Sequence, residues 1–172
     1  MTVLYTKATP SSSSPRCPEA RSSFVARLAP ARLNIEQEVA GLTDAADGAG
    51  AIVTFVGLVR PSSSSGDQVD QLVLDHHPSL TQRSLDEIMA AAVEKFAVSA
   101  VHVAHRSGTI SAGEPIVFVG AAAAHRREAF NAVDFLMDRL KTDAVFWKRE
   151  EGPQGSRWIE PTDADHASGE RW

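Results

Sequence analysis

Lysine is scarce in this 172-residue chain. It has only Lys7, Lys95, Lys141 and Lys148, and the last two fall within eight residues beside Arg139 and Arg149. If a helix ends near Thr142 and the run Val145–Glu150 folds back beside it, both ammonium groups face one pocket. A lysine that is partly desolvated and close to other cations has a lowered pKa and can act as base or nucleophile. Trp147, next to Lys148, is expected to supply an apolar wall. The same spacing is met by an ordinary hairpin or a solvated helix end whose alternate side chains face water.

A second candidate site is Ala122-Ala-Ala-His125-Arg126-Arg127. Here an apolar strand delivers the chain to a helix start, whose first N–H groups have no intrahelical acceptors. No Ser, Thr, Asp or Asn stands at the cap. The helix dipole, the free amides and the guanidinium groups all favour an anion there; a water-capped helix with surface arginines has the same sequence. A third candidate is Gly57-Leu-Val-Arg60, where an arginine just before a Ser/Gly loop is placed to hold a phosphate; an edge arginine reads the same. His76-His77 and His102…His105 raise a metal reading, which is set aside. Neighbours on a strand point to opposite faces, as do residues three apart, and no Cys or tight carboxylate cluster completes a ligand set.

The elements that must position these residues follow from pattern. Phe24–Leu28 reads as a short strand. Asn34-Ile-Glu-Gln37 has a capping-box spacing and opens a helix to about Leu42. Ala51–Arg60 is the clearest strand, and Pro61–Gly66 is a loop that cannot continue it. Val69–His77 alternates as a strand. Ser79-Leu-Thr-Gln82 reads as the cap of a helix with Leu85, Ile88, Met89, Ala92, Val93 and Phe96 on its core face. Ser99–His105 and Ile116–Gly120 are strands, with turns at Gly108 and Gly113. His125–Thr142 is a helix with Phe130, Val133, Met137 and Leu140 on one face. Val145–Glu150 and Ser156–Ile159 form a hairpin. Helices and strands interleave without a regular βαβ series, which predicts an α+β fold with mixed or antiparallel sheets.

Composition removes several classes. With 43% apolar and 23% charged residues the chain is globular, and its length suits one core. No apolar run approaches the ~18 residues of a membrane-spanning helix, and no secretory leader is visible, so a cytoplasmic location is expected. The net charge of −5 argues against general nucleic-acid binding. One cysteine, Cys17, excludes an internal disulfide or a multi-cysteine zinc site. Of residues 9–23, nine are Ser or Pro, so residues 1–23 are expected to form a disordered tail ahead of a domain spanning 24–172. A thiol on such a tail has nothing to fix its geometry or lower its pKa.

Taken in order, Gly50–Arg60, Leu74-Asp-His-His-Pro78, His105-Arg-Ser-Gly108, Ala124-His-Arg126, Met137-Asp-Arg-Leu-Lys141 and Phe146-Trp-Lys-Arg-Glu150 resemble the large, catalytic subunit family of molybdopterin synthase. The likeness runs from about Phe24 to the closing Arg171-Trp172. It implies an α/β hammerhead with an additional antiparallel β-sheet. It also implies a sulfurtransferase that moves two sulfurs from the C-terminal Gly-Gly thiocarboxylate of a small ubiquitin-like partner to cyclic pyranopterin monophosphate (precursor Z). The product is the dithiolene of molybdopterin. By the same resemblance Lys141 and Lys148 are the catalytic pair. Leu58, Val59, Arg60, His125, Arg126, Arg149 and Glu150 join them in binding substrate, no metal or other cofactor is required, and the assembly is a homodimer with one small subunit at each end. The chain departs from the family pattern at Leu58, often basic, at Pro61, often Asn, at Asp75-His76-His77-Pro78-Ser79, and at Ala123, often Ser. Two other readings stand beside this one: a non-catalytic module that docks a ubiquitin-like tail, and a different phosphate-ligand enzyme on the same scaffold.

Overall fold

The computed structural model describes residues 22–172, so the expectation of a disordered tail carrying Cys17 lies, but for its last two residues, outside the described residues. Those two are engaged. The Val101 N–H donates to the Ser23 carbonyl at 2.8 Å, and His102 Nε2 lies 3.2 Å from the Ser22 carbonyl.

In chain order the elements are β1 (Phe24–Ala29), α1 (Ile35–Ala45), β2 (Ala51–Leu58), β3 (Gln71–His76), α2 (Pro78–Lys95), β4 (Val98–Arg106), β5 (Gly108–Ser111), β6 (Pro115–Ala123), α3 (Arg126–Thr142), β7 (Phe146–Gly152), β8 (Gly155–Ile159) and α4 (Asp163–Gly169). They make two sheets. The first has the order β1-β4-β6-β2, with β1 parallel to β4 and the other pairs antiparallel. The second, β5-β3-β7-β8, is wholly antiparallel. This is the mixed α+β architecture read from the pattern, with the additional antiparallel sheet that the resemblance implied.

Strand alternation explains why helices cover both faces of the first sheet. Val101, Val103, Val117, Val119 and Ala121 meet α2 and α3 through Leu85, Ile88, Leu136 and Leu140. Ala100, Ala104, Phe118 and Ala122 face the other way, toward Leu42 and Ala45 of α1. A third, smaller core of Val59, Val69, Leu72, Leu74 and Ile110 lies beneath the second sheet. Ile116 and Phe146 pack against both the first and the third of these cores, and so join the sheets.

Three local expectations change. The cap of α2 is His77 rather than Ser79, with Pro78 in the first turn, where its fixed φ suits a helix and its missing N–H costs nothing. Phe130 is 58% exposed, because the buried arc of α3 runs through Ala129, Ala132, Val133, Leu136 and Leu140 and Phe130 stands one residue off it. The sequence reading also lacked β5 and α4. The latter carries its own signature, since Thr162 and Asp165 form a reciprocal capping box.

Candidate active site

Three chain segments converge where the two sheets meet. The first is the exit of β2. Gly57 pairs with Val117 but Leu58 pairs with Pro115, so the register shifts between them. A side chain at position 57 would put Cβ 2.8 Å from Val117 Cγ1, so glycine permits the approach. Beyond the shift, the Val59 N–H donates to the Glu114 carbonyl at 3.0 Å and the Gly113 N–H to the Val59 carbonyl at 2.8 Å. These bonds hold Leu58, Val59 and Arg60 at the junction.

The second segment is the last turn of α3, which delivers Lys141. The third is β7, where Lys148 sits between Leu74 of β3 and Ile159 of β8. Both lysines line a cavity of about 500 Å³ walled by Leu72, Leu74, Met137 and Leu140. Both also line an adjoining cavity of about 330 Å³ that includes Val59, Glu150, Thr162 and Asp165. Leu58 and Arg60 are common to the two. Together the linings combine apolar side chains with a few cationic ones, the make-up of a site for a small charged ligand.

The electrostatics separate the two lysines. Lys141 is 57% exposed at its side chain and its Nζ lies 2.9 Å from Asp165 Oδ1. Lys148 is half-buried, and burial pushes its ammonium below the ordinary lysine range. The charge of Lys141 pushes in the same direction, and Asp165 opposes both. Burial also acts on Asp165, in the raising direction, but hydrogen bonds from Thr162 and the Lys141 ammonium outweigh it and hold the carboxyl at about 2. His105 lines the larger cavity. Burial, with the charge of Lys148 adding to it, lowers its pKa to about 4 despite the hydrogen bond to the Arg106 carbonyl, so the ring is neutral near pH 7. Its Nδ1–H donates to that carbonyl at 2.8 Å, and the ring stacks on Phe146 with centroids 4.3 Å apart.

The remaining candidates are placed as follows. Glu150 shares the inward face of β7 with Lys148, and its carboxylate is tied to Arg157 at 2.7 Å. Arg149 is on the other face. It pairs with Glu151 at 3.0 Å and lies over the Trp158 ring at 5.4 Å. Trp147 shares that outer face and is 53% exposed, so the expected apolar wall comes instead from β3 and α3. His125 is the N-cap of α3 without a side-chain cap bond, and both it and Arg126 are exposed. Arg126 begins α3 and Lys141 stands in its last turn, about 22 Å away at 1.5 Å per residue. One copy of the chain therefore gathers Leu58, Val59, Arg60, Lys141, Lys148 and Glu150, and holds His125 and Arg126 elsewhere. The histidines set aside as metal ligands have separate partners, His77 at the cap of α2 and His102 beside Ser22.

Sequence reasoning missed Asp165, His105 and Met137 as cavity residues. The first had a readable signal in Thr162-x-x-Asp165, and the second fell inside His105-Arg-Ser-Gly108.

Residues 28–143 match the family model described as MoaE protein. The chain is 50% identical over 123 residues to the molybdopterin synthase catalytic subunit of Caulobacter vibrioides, covering 72% of this chain and 80% of that one. Against the subunit of the same name from Salmonella typhimurium it is 45% identical over 145 residues, covering 84% and 95%. Among solved structures, the molybdopterin biosynthesis MoaE protein from Burkholderia ambifaria superposes with a TM-score of 0.72 at 35% identity, covering 88% of this chain and 97% of that one. A complex of subunits 1 and 2 of the molybdopterin-converting factor from Helicobacter pylori shares the fold, with a TM-score of 0.65 at 18% identity over 83% of this chain and 92% of that one.

Proposed function

The chain belongs to the MoaE family, the catalytic subunits of molybdopterin synthase, and on that premise we propose that the cavity between Lys141 and Lys148 is where sulfur passes from a thiocarboxylated partner to cyclic pyranopterin monophosphate. The observation that carries this reading is the convergence of the two lysines, with Arg60, on one largely apolar cavity. Both reactants are anions, one a thiocarboxylate and the other a phosphate ester. Cations lining a largely apolar pocket bind such groups and offset the charge that develops when sulfur leaves its acyl carbon.

The described residues contain no cysteine, so within them sulfur cannot ride on an enzyme persulfide and must be brought in. The relatives are named as a catalytic subunit, which implies a further subunit, and the sulfur donor of this reading is a small ubiquitin-like protein with an extended C-terminal tail. His125 and Arg126 are assigned to the substrate phosphate. Because they stand at the far end of α3 from the lysines, a cavity that uses both sets takes one of them from a second copy. A homodimer with one small subunit at each end meets that requirement. The compartment proposed is the cytoplasm; no helix among the described residues is long and apolar enough to cross a membrane.

The test is dithiolene formation by the purified chain mixed with cyclic pyranopterin monophosphate and the small partner ending in thiocarboxylate. The same partner ending in carboxylate is the control. Product in the first mixture only is expected. Binding of the partner without product would turn the reading into a docking module.

A further inference from the structure

Two ammonium groups lining one cavity repel each other, and the repulsion grows as water is excluded. The fold answers this with a carboxylate from α4. The two oxygens of Asp165 are divided between two tasks. Oδ2 accepts from the Thr162 N–H at 2.9 Å and from the Thr162 hydroxyl at 2.8 Å, which closes the helix cap. Oδ1 is left for Lys141 Nζ at 2.9 Å.

The end of the chain that carries Asp165 is itself fastened to the helix that carries Lys141. Arg171 bonds Asp134 and Asp138 of α3 at 2.9 and 2.7 Å. Trp172 Nε1 donates to Asp138 at 2.6 Å, and its ring packs edge-on against Phe96 and Phe135. Partly exposed ion pairs contribute little to stability, so the value of this one lies in where it puts the lysine.

We infer that Asp165 is a positioning residue for the lysine pair: its Oδ1 fixes the Lys141 ammonium at the cavity rim, and its charge lets Lys141 and Lys148 share one cavity. This rests on the proposed function. Lys148 is faced by Lys141 from α3, Asp165 from α4, neutral His105 from β4, Arg60 beyond β2 and Glu160 beyond β8, with Glu150 on its own strand neutralised by Arg157. Of the acidic groups, Asp165 is the one that offsets Lys141 at Lys148. Its removal takes away the carboxylate that offsets Lys141 at Lys148, which disfavours the charged form of Lys148 still further.

The experiment uses the full-length chain with its partner and two readouts. One is single-turnover sulfur transfer. The other is the pH dependence of acetic anhydride labelling at Lys148, followed by mass spectrometry. Asp165→Asn is expected to slow transfer by about 10-fold or more, the scale of a lost charged hydrogen bond, and to move the Lys148 labelling midpoint to lower pH. Asp163→Asn removes the same charge from the same helix turn without touching Lys141, and is expected to leave both readouts in place. Asp165→Glu disturbs the cap but keeps the charge, and is expected to return the midpoint toward wild type. An unmoved midpoint in Asp165→Asn, an equal shift in Asp163→Asn, or identical behaviour of the Asn and Glu variants overturns the inference. If the wild-type chain forms no dithiolene, the proposed function fails while the labelling readout still decides the role of Asp165.

Discussion

Lys141 and Lys148 differ in surroundings, and the difference governs what each variant should do. Truncating either one removes a preorganised cation from the cavity, so Lys141→Ala and Lys148→Ala are each expected to lower turnover by about 100-fold or more, with circular dichroism unchanged because neither side chain is in a core cluster. Lys148 has its charged form disfavoured by burial, so its neutral fraction grows as pH rises through a value below the ordinary lysine range. A turnover limb that rises in that window is expected in wild type. It should be absent in Lys148→Arg, since a guanidinium stays protonated; rescue by that variant would leave Lys148 an electrostatic role alone. His105 makes a different prediction, about stability. Its folded pKa of about 4 is below the reference 6.5, so the unfolded chain binds the extra proton as pH falls between those values. Stability is therefore intact above about pH 6.5 and falls by about 3 kcal/mol by pH 4. Urea unfolding at pH 7 and pH 4.5 should show the loss, and His105→Gln should flatten it.

The cavity depends on β7 lying close to the turn that leads into β3. Gly152 ends β7, and a Cβ there would collide with the Gln68 carbonyl. The Asp70 N–H donates to the Glu151 carbonyl at 2.9 Å beside it. Gly152→Ala must displace backbone rather than a flexible side chain. It is expected to cost about 1–3 kcal/mol in chemical denaturation and to lower sulfur transfer through misplacement of Lys148 four residues earlier. Gly48 gives the contrast. It has a positive φ and open space around it, so Gly48→Ala is strained without touching β7 and should leave transfer unaltered.

The assembly prediction follows from the length of α3. Phe55 on the edge strand β2 and Phe130 on α3 are both exposed, apolar surface of the kind a second copy would cover. If His125 and Arg126 serve the lysines of another copy, two defective chains can restore each other. Arg126→Ala is expected to raise KM by about 10- to 150-fold, since in the proposed site the guanidinium holds a phosphate that keeps its charge through the reaction. Reassorting Arg126→Ala with Lys141→Ala should then recover about a quarter of wild-type activity at subsaturating substrate, because half the dimers are mixed and each has one intact site. No recovery on mixing would rule out a site that joins Arg126 of one copy to Lys141 of another.

Much of this molecule could be read before its fold was known, because the informative signals are local. The β-rich run of β2, the uncapped start of α3 at His125 and the β7–β8 hairpin depend on neighbours within a few residues, and all three were found. The meeting of Lys141 and Lys148 was also readable, since a helix end and the strand that follows it are separated by only a short connection. The distance from Arg126 to Lys141 was implicit in the rise of one helix. Other features are non-local. Whether Lys148 or Trp147 faces the cavity is decided by which face of β7 meets Leu74 and Ile159, and an alternating strand carries no mark of that choice. His105 reaches the cavity only because β4 brings it against Phe146, 41 residues later in the chain. Asp165 reaches Lys141 only because Trp172 and Arg171 dock their segment on α3. β5, four residues long, is too short to show a period. Local pattern sets which elements form, while the pairing of distant faces, driven by burial of Leu72, Leu74, Ile116 and Leu140, selects the charged groups that share a pocket.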